Sequence, residues 1–87
     1  MDPETQRSID QSKYLLKQVS EDSNVPRNIR RAAVEAIAIL EKEEDSPAIR
    51  AQNVISILEE PSLDPNCPRQ ARTKIWQVSS LLEPIRD

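Results

Sequence analysis

Apolar residues recur along this chain at three- and four-residue intervals, in four stretches separated by short polar segments that contain proline. That spacing places them on one face of an α-helix. The first stretch predicts a helix over roughly 4–20, with Ile9, Leu16 and Val19 inward and Leu15 on the flank. The second predicts a helix over roughly 26–43, with Ile29, Ala33, Ala36, Ile37 and Leu40 as its stripe. The third runs roughly 47–60, with Ala51, Val54, Ile55 and Leu58, and Pro61 is expected to stop it. The fourth runs roughly 68–85, with Ala71, Ile75, Val78, Leu82 and Ile85, and Pro84 is expected to fray its last turn. Alternating β-branched segments and hairpin dipeptides are absent, so the expected class is all-α.

Proline sets the boundaries. Asp2-Pro3, Val25-Pro26, Ser46-Pro47 and Cys67-Pro68 each stand just before a periodic segment. Proline suits a helix start because its missing N–H would have no helical partner there. A shift of 42 residues lays Ser20, Asp22, Asn24, Pro26, Arg27, Arg30, Leu40 and Glu41 on Ser62, Asp64, Asn66, Pro68, Arg69, Arg72, Leu82 and Glu83. The chain therefore reads as a single domain over 1–87 built from two αα-hairpins, one about 4–43 and one about 47–85. Short turns make neighbouring helices antiparallel, and a four-helix up-and-down bundle follows. A HEAT-like or bromodomain-like arrangement is the alternative, although two units are few for a solenoid.

Asn24-Val25-Pro26-Arg27-Asn28-Ile29-Arg30-Arg31-Ala32-Ala33 resembles the signature of an uncharacterised archaeal family of small all-helical proteins. So do Asp64-Pro65-Asn66-Cys67-Pro68, Ala71-Arg72-Thr73-Lys74-Ile75-Trp76 and Leu81-Leu82-Glu83-Pro84-Ile85. The resemblance covers most of the chain from about residue 15 onward. It implies a cytoplasmic helical bundle and brings no activity, cofactor or binding residue with it.

Composition narrows the chemistry. With no His, no Gly and one Cys, the chain has no usual zinc set, Cys–His nucleophile, P-loop or dinucleotide fingerprint. No catalytic, cofactor-binding or metal residue is assigned, and the chain is read as a non-enzyme. No apolar run reaches the length of a membrane span. A lone cysteine makes no internal disulfide, which suits the reducing cytoplasm.

Charge placement is the most informative feature. In an up-and-down bundle the second and fourth helices start at one end. Residues 17–31 and 59–74, which form that end, carry seven basic and five acidic groups, while the rest carries five basic and ten acidic. Arg27, Arg30, Arg31, Arg69 and Arg72 crowd the first turns there, where cations oppose the helix macrodipole. Either Asp22 pairs with Arg27 and Arg30, and Asp64 with Arg69 and Arg72, or the arginines hold an anion. The first reading is favoured, because the repeat supplies one Asp per arginine pair. Nucleic acid is disfavoured by the local acids and the net charge of −3.

The two aromatics and Val34 fall off the core stripes on a helical wheel. Trp76, and Val34 which the repeat aligns with it, are candidate partner anchors. Tyr14 reads as an ordinary exposed ring. The run Glu41-Lys42-Glu43-Glu44-Asp45 reads as a solvated turn, with Ser46 capping the next helix. Cys67, between two prolines, reads as an incidental thiol. The expected function is protein–protein contact or self-association through Trp76 and Val34 with an arginine rim. The alternative is recognition of a phosphate-bearing ligand or RNA at the arginine-rich end.

Overall fold

The computed structural model covers residues 1–87 and contains four helices: α1 (Pro3–Glu21), α2 (Arg27–Leu40), α3 (Pro47–Leu63) and α4 (Arg69–Leu82). There is no strand. α1 packs on α2 and α4, and α3 packs on the same two, so the helices follow one another round a bundle with α2 and α4 on one diagonal. One core runs through it, built from Ile9, Leu16 and Val19 of α1, Ile29, Ala33, Ala36 and Leu40 of α2, Ala51, Val54 and Leu58 of α3, and Ala71, Ile75, Val78 and Leu82 of α4. These are the stripes the 3.6-residue period picks out, apart from Ile37 and Ile55, which are half-buried.

The helix starts follow the prolines in two ways. Pro3 and Pro47 occupy the first helical turn, and Ser46 accepts a hydrogen bond from the Ile49 N–H at 3.3 Å. Pro26 and Pro68 stand one residue outside, in extended geometry, as the capping residues of α2 and α4.

Three helix ends differ from expectation. α3 does not stop at Pro61 but runs on to Leu63. A proline loses its own N–H bond to the carbonyl four residues earlier and crowds that carbonyl, but only two helical residues follow Pro61, so no long segment has to continue past the defect. Its ring is buried in a crevice shared with Asn28 and Ala32 of α2. α2 ends at Leu40 rather than near 43, because the Glu41 and Lys42 N–H groups tighten onto Ala38 and Ile39, three residues back. α4 ends at Leu82, because Pro84 has no N–H to continue the ladder. The Ile85 N–H instead turns back to the Leu82 carbonyl, which tucks Ile85 into the core from outside the helix.

Without glycine, the chain has no residue at positive φ. The left-handed residue that commonly closes a helix is therefore replaced. α1 and α3 end instead on extended Asp22 and Asp64. The two turns match bond for bond. Asp22 accepts from the Asn24 N–H at 2.9 Å, and Asp64 accepts from the Asn66 N–H at 2.8 Å. Ser20 donates to the Lys17 carbonyl at 2.8 Å, and Ser62 donates to the Glu59 carbonyl at 2.7 Å. The identities of the 42-residue repeat are thus, in good part, the parts of one turn made twice.

Candidate interaction surface

The Asn28 side chain at the start of α2 reaches the Asp64 carboxylate at 3.4 Å, so the starts of α2 and α4 share one pole of the bundle. Arg30 and Arg72 are half-buried there, while Arg27, Arg31 and Arg69 are exposed.

No ion pair forms between these arginines and Asp22 or Asp64. The salt bridges lie elsewhere, between Lys13 and Glu41 and between Lys42 and Asp45. The expected Asp–Arg pairing is therefore corrected, for a physical reason. The two carboxylates already accept backbone N–H groups within their own turns. Arg72 is drawn instead to main-chain oxygen: its Nε donates to the Ser62 carbonyl at 3.1 Å, and its Nη2 to the Asp64 carbonyl at 2.9 Å. Those oxygens close the C-terminal end of α3, where the macrodipole is negative. An arginine that looks misplaced at the start of its own helix is well placed against the end of the one before.

Arg50 uses the same device at the opposite pole. It is buried, and its Nη1 donates to the Leu40 carbonyl at 2.8 Å, at the end of α2. Sequence reasoning passed over Arg50. The signal was there in register: Arg30, Arg50 and Arg72 each lie four residues after the residue that caps their helix, Pro26, Ser46 and Pro68. Arg50 and Arg72 each reach back ten residues. Arg30 holds the matching position, with its Nε buried and unbonded.

Cys67 is buried in the α3–α4 turn, and burial pushes its thiol pKa up; Arg72 opposes that shift and Asp64 adds to it. A desolvated thiol is a poor nucleophile.

The large exposed side chains lie elsewhere. Trp76 is 55% exposed, Val34 57% and Tyr14 64%. Trp76 and Val34 sit on α4 and α2, the diagonal pair, so they do not share a patch. Trp76 lines an open groove over α4 with Gln11, Thr73, Gln77, Ser80 and Leu81. No charged side chain lines it, whereas each of the three other surface grooves includes a carboxylate. In a chain that is 31% charged, this is a selective absence.

Residues 1–85 match the family model described as "Uncharacterised protein family (UPF0147)". This chain belongs to the UPF0147 family. A UPF0147 protein of Metallosphaera sedula is 51% identical over 84 residues, 97% of this chain and 94% of that one. Another, from Desulfurococcus amylolyticus, is 51% identical over 74 residues, 85% of this chain and 81% of that one. Two crystal structures share the fold. The UPF0147 protein from Thermoplasma acidophilum superposes with a TM-score of 0.88 at 35% identity, over 94% of this chain and 96% of that one. A protein of unknown function, MMP1188, gives 0.89 at 37% identity, over 100% and 97%. UPF0147 is a family of archaeal proteins without an assigned activity. No helix of this UPF0147 chain is long and apolar enough to cross a membrane.

Proposed function

We propose that this protein is a small non-enzymatic helical module of the cytoplasm that works by contact with another protein, a second copy included. The contact is centred on Trp76. The observation that carries this reading is the uncharged groove that Trp76 lines on α4. Depletion of charge around a large aromatic side chain is the composition of interface centres, and tryptophan is enriched among the residues that dominate binding. Arg69 lies two helical turns from Trp76 on the same side of α4 and supplies a charged rim. Arg27 stands in the same relation to Val34 on α2, so Val34 offers a second, smaller contact on the far side of the bundle.

The arginine-rich pole supports a phosphate or RNA site less well. Arg72 is engaged by carbonyl oxygens, Arg30 is half-buried with its Nε out of reach of solvent, and Arg27, Arg31 and Arg69 are exposed. Affinity purification of tagged wild type and a Trp76→Glu variant from the native cells, with and without nuclease, tests the proposal. Proteins recovered by the wild type and lost with the variant support it. Identical recovery by the two overturns it, and nuclease-sensitive recovery favours the RNA reading.

A further inference from the structure

Arg69, Trp76 and Glu83 are spaced seven residues apart, and seven residues are two helical turns, so the three share one side of α4. All three are exposed, and neither charge has an ion-pair partner within the chain. Between the charges the strip carries Thr73 and Ser80, short side chains that let another helix come close. Glu83, just past the last helical residue, keeps helical geometry at φ −56 and ψ −41, so the strip continues to it. The strip is therefore basic at its start, acidic at its end and neutral round a central tryptophan.

Such a strip is complementary to itself turned end for end. A two-fold axis through Trp76 lays Arg69 of one copy on Glu83 of the other, twice over, and brings the two indoles together at the centre. It also opposes the two helix macrodipoles. On the larger scale it sets the arginine-rich pole of one bundle beside the acidic pole of its neighbour.

We infer that the protein forms an antiparallel homodimer through α4, with Trp76 at the two-fold axis and two reciprocal Arg69–Glu83 pairs. This rests on the proposed Trp76 contact and names its occupant as a second copy. The arrangement is isologous and closes at two copies. One helix of 14 residues offers a contact at the small end of the specific range, so the dimer is a weak one that exchanges with monomer.

The same spacing occurs on α2 as Arg27, Val34 and Glu41, and there it is spoiled. Val34 is smaller, Arg31 and Glu35 stand where α4 has Thr73 and Gln77, and Glu41 is held by Lys13 at 3.7 Å. The α2 face therefore lacks the self-complementarity of α4.

Sedimentation equilibrium up to about 1 mM is the test, with circular dichroism to verify that each variant is folded. The wild type is expected to dimerise, Trp76→Glu to be monomeric, and Ile49→Glu, at an exposed apolar position of α3, to dimerise as the wild type does. Arg69→Glu and Glu83→Arg are each expected to weaken association about tenfold at low salt, and the double variant to restore it. A monomeric wild type throughout overturns the inference. So does a dimer indifferent to the charge changes, or one that Ile49→Glu disrupts. The purification above separates the two failures. Trp76-dependent recovery of a different protein by a monomeric chain removes the homodimer and leaves the wider reading, whereas identical recovery by wild type and Trp76→Glu removes that reading.

Discussion

The Nη1 of Arg50 donates to the Leu40 carbonyl at 2.8 Å, joining the first turn of α3 to the last residue of α2. Arg72 makes the corresponding link from α4 to the end of α3. In a chain without glycine, these guanidinium groups take over part of the work of closing helices.

Arg50→Ala is expected to lower unfolding stability by about 2 kcal/mol, through loss of a charge-assisted bond and a desolvated Leu40 carbonyl. Arg72→Ala is expected to cost about 1–2 kcal/mol, because Arg72 is half-buried and water can reach part of its site. The two lie at opposite poles, so urea titration of the double variant should give the sum within about 0.5 kcal/mol.

Asp64 acts through its backbone acceptor role rather than through an ion pair. Asp64→Asn keeps an oxygen for the Asn66 N–H and is expected to be nearly neutral, whereas Asp64→Ala is expected to cost about 1 kcal/mol. The loss should be the same at 50 mM and 500 mM salt, measured by chemical unfolding; a structural Asp64–Arg72 pair would make it shrink.

Ser12 is fully buried in α1, and its hydroxyl has no hydrogen-bond partner. Ser12→Ala removes that unpaired group and improves helix propensity. An increase of about 1 kcal/mol is expected in thermal or urea unfolding.

Cys67 should resist thiol reagents in the native state and react once unfolded, because burial holds it protonated. Its folded pKa is raised above the ordinary 9.0, so the unfolded chain ionises first as pH rises. Its contribution to stability is complete below pH 9.0 and is lost through the folded value. Cys67→Ala should flatten that alkaline limb of stability against pH.

Asp87 points the other way. Its carboxylate accepts from the Ala48 N–H at 3.0 Å and from the Ser46 hydroxyl at 2.7 Å, and these bonds, the backbone one foremost, lower its pKa below 3.8. Its stabilising effect is present above pH 3.8 and is lost as pH falls through the folded value. A carbon-detected NMR titration should place Asp87 below the ordinary 3.8, and Ser46→Ala should move it back toward that value.

Much of this fold is legible one residue at a time. The stripes, the prolines and the repeat give four helices and their order, because helix burial depends on local spacing that any neighbour satisfies. Helix ends are less legible. Pro61 reads as a stop and is not one, because its ring is buried in a crevice shared with α2, a site that local spacing does not reveal. The exposure of Trp76 follows from its angle on the wheel. The lack of charge round it does not, because Gln11 comes from a helix distant in sequence.

The sequence by itself determined that the chain is helical, where the helices begin, which faces are buried and that one pole is rich in arginine. These follow from periodicity, from backbone groups missing at proline and from counting charges along antiparallel rods. Only the tertiary structure decided what the arginines do. The repeat offers Arg72 the carboxylate of Asp64, yet the Asn66 N–H already holds that group. The packed ends of α2 and α3 then present carbonyl oxygens within reach of Arg50 and Arg72. Which oxygen a guanidinium meets is set by how helices stack, and linear spacing carries no record of it.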